Sequence, residues 1–217
     1  MSIRRIFIGT ENIIGNKLTL TDTEILHRLQ KVLRLNVSDR IRIFDKSGNE
    51  ALARIIESTK HALELEILET YASILSPLPE INIYQALTKP IGKFEDMLQK
   101  ATELGAHGFT PILTTHTENK ILSKTSRLET ILIGASEQCG RSDIPTLKPL
   151  CKFTEILKNP PMGLNLLTYE KETVQSLAQL LSKIKKSATV NVFIGPEGGW
   201  DIAEIELARE RKFEIVG

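Results

Sequence analysis

Hydrophobic residues recur with two different periods on either side of Ser76-Pro77-Leu78-Pro79, and that change constrains the fold more than any other feature of the chain. Before it, apolar and polar residues alternate. Arg40-Ile41-Arg42-Ile43-Phe44 reads as a half-buried strand and Arg5-Ile6-Phe7-Ile8 as a shorter one, with two more over 51–57 and 62–69. Residues 45–49 carry turn chemistry, with Gly48 free to take positive φ. Between these strands, Ile25, Leu26, Leu29, Val32 and Leu33 fall at helical spacing within 22–35. Short strands around one helix predict a small β-barrel. After the break, strands predicted over 81–87, 109–113, 164–168, 190–194 and 213–216 alternate with helices over 93–104, 126–139, 174–185 and from Asp201 onward. Gly105 is placed to end the helix over 93–104, and Glu204 stands three residues after Asp201 as a capping-box partner. Such alternation predicts an α/β fold, a mostly parallel sheet with helices on both faces. The two prolines disfavour both helix and central strand, so Ser76 to Pro79 is the expected linker between domains 1–72 and 73–217.

Composition narrows the function classes. A chain of 217 residues, 41% hydrophobic and 25% charged, can bury a real core in each of two domains. It has no apolar run of the roughly 20 residues that cross a bilayer and no secretory h-region, so the expectation is a cytoplasmic protein without a membrane partner. Cys139 and Cys151 are too few for a disulfide framework or a cysteine zinc site, and His27, His61, His107 and His116 are scattered, so no metal is expected. Net charge is only +1, but Arg28, Lys31, Arg34, Arg40 and Arg42 crowd one stretch against the single acid Asp39. Such a cluster suits backbone phosphates, or a merely solvated face.

Chemistry in an open parallel sheet gathers beyond the carboxyl ends of its strands. The strand ending at Ile194 runs directly into Gly195-Pro196-Glu197-Gly198-Gly199, where glycines let backbone approach a ligand and Glu197 supplies one carboxylate. No Gly-Lys-Ser/Thr follows and there is no GxGxxG, so neither an ATP nor an NAD site is indicated; taken alone the segment is equally an ordinary strand-to-helix turn. Glu137-Gln138-Cys139-Gly140-Arg141 closes a predicted helix. Its arginine suits a carboxylate or phosphate, and the same residues suit a surface ion pair. Gln99-Lys100-Ala101-Thr102-Glu103-Leu104-Gly105 reads as a helix with an apolar core stripe and an exposed Lys100 and Glu103 pair, not as catalytic machinery.

In order along the chain, Arg4-Arg5-Ile6-Phe7, Val32-Leu33-Arg34, Lys100 to Gly105, Glu137-Gln138 with Arg141, and Ile194 to Gly199 resemble the bacterial ribosomal RNA small-subunit uridine-N3 methyltransferase family, a branch of the SPOUT methyltransferases. The resemblance implies an N-terminal PUA-like barrel that holds RNA, with Arg4, Arg5, Arg28, Lys31, Arg34 and Arg40 as its contacts. It implies a C-terminal α/β domain with a deep trefoil knot, which periodicity does not show, and a homodimer through that domain. S-adenosylmethionine is the implied cofactor, held by Ile194, Gly195, Pro196, Glu197, Gly198 and Gly199 and by the exit of the preceding strand at Leu167 and Thr168. The implied reaction is methylation at N3 of uracil 1498 in 16S ribosomal RNA, free or in the assembled small subunit. Ser38 stands where the family usually has glycine. A third cofactor loop follows the last strand in the family, whereas this chain stops at Val216-Gly217; a chain ending there is expected to bind S-adenosylmethionine weakly and to methylate little.

Methyl transfer from a sulfonium needs alignment and exclusion of water, and uridine N3 must also lose a proton. Arg141 is the candidate to stabilise the uracilate oxygen, and Glu137 or Glu197 the candidate to accept the proton. Two other readings stand beside this one: a SPOUT enzyme methylating a ribose 2′-oxygen, and a catalytically inactive RNA-binding protein.

Overall fold

The computed structural model describes residues 3–9, 13, 15–72, 79–118, 120–122, 124–173, 175–181 and 189–217. They form two compact units, Met1–Leu75 with Ser136–Ile144, and Ser76–Ala135 with Pro145–Gly217.

The first unit contains β1 (Arg4–Phe7), β2 (Lys17–Leu20), α1 (Thr23–His27), β3 (Arg40–Phe44), β4 (Glu50–Ser58) and β5 (Leu63–Tyr71). The strands form one sheet in the order β1-β3-β4-β5-β2, with β1 parallel to β3 and the other pairs antiparallel. Alternation places Ile41 and Ile43, Ala51, Ala53 and Ile55, and Leu63 and Leu65 in one core with Leu26 and Leu29. The helix predicted over 22–35 is α-helical only to His27, capped by the Asp22 side chain, and continues as a π-helical turn over Arg28–Val32. Leu33 N–H donates to the Arg28 carbonyl at 2.9 Å, five residues back, and Arg34 at φ 54° ends the helix. β2 was not expected; its four residues are too few to set a period against neighbouring turns.

The second unit contains β6 (Glu80–Ala86), α2 (Gly92–Glu103), β7 (Gly108–Leu113), α3 (Thr125–Cys139), β8 (Thr146–Leu147), β9 (Cys151–Lys152), α4 (Phe153–Lys158), β10 (Leu164–Thr168), α5 (Leu177–Leu181), β11 (Thr189–Ile194), α6 (Ile202–Glu210) and β12 (Glu214–Val216). The last four residues of α3 belong to the first unit, so the single domain expected over 73–217 gives up Ser136–Ile144. Every pairing is parallel, in the order β12-β10-β11-β6-β7-β8, with β9 also on β7. Successive strand residues enter opposite cores. Leu167, Phe193 and Ile215 pack with Phe153, Trp200 and Ile205, while Leu166, Val190 and Val216 pack with Leu180. Helical side chains thus cover both faces of the sheet, as a parallel sheet requires. The capping box anticipated at Asp201 and Glu204 is present, and Gly105 at φ 96° follows α2. Of the helix predicted over 174–185, Val174 and 182–185 lie outside the described residues, as do Ser76, Pro77 and Leu78 of the expected linker. No helix among the described residues is long and apolar enough to cross a membrane, and none of their His, Cys, Asp and Glu side chains form a metal-binding group.

Candidate functional site

Parallel pairing brings the carboxyl ends of β12, β10, β11 and β6 to one edge of the sheet in that order. A cleft of about 360 Å³ opens there, within the range of small-molecule sites. Its walls are Thr168, Tyr169 and Glu170 at the end of β10, Ile194, Gly195, Pro196, Gly199 and Trp200 at the end of β11, Val216 and Gly217 at the end of β12, and Leu177 of α5. Two glycines explain the turn after β11. A side chain on Gly195 would put its first carbon 2.9 Å from the Trp200 indole nitrogen, and Gly199 sits at φ +72°. The turn is closed by the Gly199 N–H on the Pro196 carbonyl at 2.9 Å. Trp200 Nε1 donates to the Thr168 carbonyl at 2.9 Å, and Gln85 Nε2 of β6 donates to the Gly195 carbonyl at 3.3 Å. The loop is therefore fixed from both neighbouring strands.

Of the residues expected to hold a cofactor, Thr168, Ile194, Gly195, Pro196 and Gly199 line the cleft. Leu167 is buried in the hydrophobic core, and Glu197 and Gly198 are not in the cleft wall. Gly198 packs against His116 of the loop after β7, whose ring Nδ1 is 3.3 Å from the Gly199 carbonyl oxygen. Glu197 turns toward the loop after β6: Lys93 Nζ in the first turn of α2 is 3.2 Å from Glu197 Oε1. The carboxyl is held below the ordinary glutamate range by its own backbone N–H first, with burial opposing, and then by the Lys93 ammonium and the Lys89 N–H. Tyr169, Glu170, Leu177, Trp200, Val216 and Gly217 were not anticipated as wall residues. Only the strand-exit position of Glu170 and Val216 carried any signal in the sequence.

Glu137 and Arg141 fall in the first unit, in a dense polar cluster. Arg28 binds both Glu137 carboxylate oxygens through its two terminal nitrogens, and the Phe7 N–H donates to Oε1 at 2.8 Å. The Arg141 side chain is buried and paired with Asp143 at 2.7 Å. Its carbonyl accepts from Arg5 at 2.6 Å. Arg5 also binds Glu50 at 2.6 Å and donates to the Ser142 hydroxyl at 3.0 Å, while Ser142 donates to Glu50 at 2.6 Å. Of the expected RNA contacts, Arg4, Lys31, Arg34 and Arg40 are exposed, whereas Arg5 and Arg28 spend their guanidinium groups on Glu50 and Glu137.

Comparison with known proteins matches residues 75–217 to an RNA methyltransferase domain and residues 20–68 to an RNA methyltransferase PUA domain. The chain is 33% identical to ribosomal RNA small subunit methyltransferase E of Synechocystis over 98% of its own length and 70% of that protein's. It belongs to the ribosomal RNA small subunit methyltransferase E family. The Bacillus subtilis methyltransferase E is 28% identical over 87% of this chain and 77% of that one. Among solved structures, the Neisseria gonorrhoeae methyltransferase E bound to S-adenosyl methionine superposes with a TM-score of 0.84 at 27% identity, covering 100% of this chain and 89% of that one. As a member of this family the chain has its glycine turn and cleft in the methyltransferase domain, and the exposed arginines Arg34 and Arg40 in the PUA domain.

Proposed function

We propose that this protein transfers a methyl group from S-adenosylmethionine to N3 of uracil 1498 in 16S ribosomal RNA. The observation that carries the reading is the cleft at the carboxyl ends of β10, β11 and β12, walled by the glycine turn, in a chain of this family. The residues present fit the cofactor. Leu177, Ile194 and Val216 offer apolar surface to an adenine, backbone groups of three strand exits offer its edge hydrogen bonds, and Glu170 offers a carboxylate to ribose hydroxyls or to a positive charge. Bound there, the cofactor supplies an electrophilic methyl carbon; the rest falls to the protein. It must orient the uracil, exclude water and take the N3 proton. Glu197, on the turn that walls the cleft and not fully buried, is the better-placed proton acceptor. Glu137 has both oxygens committed to Arg28, and Arg141, paired with Asp143, supports the Arg5 cluster through its carbonyl. Lys31, Arg34 and Arg40 hold RNA phosphates. A cytoplasmic homodimer acting on free RNA or the assembled small subunit completes the reading.

The test is incubation with S-adenosylmethionine and 16S ribosomal RNA or small subunits, followed by nucleoside mass spectrometry. 3-Methyluridine is the expected product. A 2′-O-methyl nucleoside would replace this reading with ribose methylation. RNA binding without any methylated nucleoside would leave an RNA-binding protein.

A further inference from the structure

The turn after β11 has two sides. Gly195, Pro196 and Gly199 face the cleft, which β10 and β12 complete. On the other side of β11 lies β6, and the chain leaving β6 brings Lys89 and Lys93 to Glu197. The Lys93–Glu197 pair joins residues 104 apart in sequence and stays accessible, with side chains 59% and 46% exposed. Two further pairs border it: Lys89 Nζ with Glu118 Oε2 at 3.2 Å, and His116 Nε2 facing Asp201 Oδ2 at 3.7 Å. Two lysines and a histidine against three carboxylates give this rim no excess of positive charge, so it is a poor match for phosphate and a good one for a neutral polar base.

Uracil presents an N–H donor, N3, flanked by two carbonyl acceptors. An ammonium and a carboxylate 3.2 Å apart present the complementary donor and acceptor side by side. Resting on the function proposed above, we infer that Lys93 and Glu197 form the uracil-binding pair, Glu197 accepting from N3–H and Lys93 donating to an adjacent carbonyl oxygen. Proton removal then balances within the pair. The N3–H bond breaks, the proton passes to a Glu197 oxygen, and the electron pair left on N3 spreads onto the carbonyl oxygens, where the Lys93 ammonium offsets the charge. Glu197 is a weak base because it is held ionised, so proton removal depends on that ammonium.

The probe is a short RNA carrying 5-fluorouridine at the target position, a base that loses its N3 proton more readily than uridine and reports it by fluorine NMR. The base bound to wild-type protein is expected to ionise at least one pH unit below the same base bound to Lys93→Met, because the ammonium favours the anion that the Glu197 carboxylate disfavours, and Lys93→Arg keeps most of that difference. Glu197→Gln lowers turnover roughly 10²- to 10³-fold with cofactor affinity, read by calorimetry, within about twofold. The inference is overturned if Lys93→Met and wild type titrate the bound base alike, or if Glu197→Gln turns over like wild type. Failure of the functional reading is separate: wild type would then yield no 3-methyluridine, whatever the fluorine titration reads.

Discussion

Ser38 holds φ 79°, in the left-handed region, with its N–H on the Ile55 carbonyl at 2.8 Å. A side chain in that conformation costs roughly 1–2 kcal/mol, part of which glycine gives back as unfolded-state entropy. Ser38→Gly is therefore expected to raise stability by up to about 1 kcal/mol, read as a higher urea midpoint at unchanged slope; a lower midpoint would mean the Ser side chain stabilises the turn. Glu50 is a different kind of residue, a carboxylate with a side chain only 1% exposed. Burial pushes its pKa up, but hydrogen bonds from Arg5 and Ser142 and the charges of Arg5 and Arg42 outweigh that and hold it below the ordinary value. A folded pKa lower than the unfolded one contributes stability above the unfolded value of about 4.3, lost as pH falls through the folded value. Glu50→Gln strands the buried Arg5 charge, so a loss of about 3–5 kcal/mol at neutral pH is expected. The gap to wild type should narrow as thermal unfolding is followed from about pH 6 down to about pH 3. A gap that widens in acid would reverse the sign assigned to Glu50.

The parallel sheet carries its own register device. Asn165, Asn191 and Asn82 stand opposite one another on β10, β11 and β6. Asn191 Nδ2 donates to Asn165 Oδ1 and to the Met162 carbonyl, both at 3.0 Å, and Asn191 Oδ1 accepts from Asn82 Nδ2 at 3.4 Å. Asn191→Leu keeps volume but leaves buried polar partners unmade, so a loss of about 1–3 kcal/mol is expected in denaturant unfolding; a neutral result would mean that water or the other asparagines replace it. These asparagines lie in runs otherwise rich in Leu, Ile and Val, which is why β6, β10 and β11 were legible from sequence although their polar ladder was not. Elements announced by period or by a cap were legible as well, such as α2 and the Asp201 start of α6. β8 and β9, at two residues each, and α4, at six, are too short to announce themselves and depend on the parallel pairing with β7 or on burial of Phe153. The glycine turn was legible because close approach to Trp200 and positive φ both demand glycine. Lys93 and the Arg5 cluster were not, because Glu197 lies 104 residues from Lys93, and Glu50 and the Arg141 carbonyl lie 45 and 136 residues from Arg5, and a lone lysine or a helix-ending arginine looks like ordinary surface.

Taken over the whole molecule, a net charge of +1 provides no general attraction for nucleic acid, so RNA affinity must come from local charge. The basic stretch of the first unit divides in two. Arg28 is committed to Glu137, whereas Lys31, Arg34 and Arg40 are exposed. Each phosphate neutralised releases counterions, giving about −0.7 in the slope of log K against log salt for single-stranded RNA. Replacing Lys31, Arg34 and Arg40 together by Ala should therefore flatten that slope by up to about 2 units, measured by filter binding or anisotropy across a salt series. S-adenosylmethionine affinity should not change, since none of the three lines the cleft. Arg28→Ala should behave otherwise. It leaves the Glu137 carboxylate without its cation, so its main effect is a lower unfolding midpoint, with the salt slope of the protein that remains folded close to wild type. A triple variant with an undiminished slope would remove RNA binding from this face. An Arg28 variant that flattened the slope at full stability would put Arg28 among the phosphate contacts after all and leave Glu137 to be held by the Phe7 N–H alone.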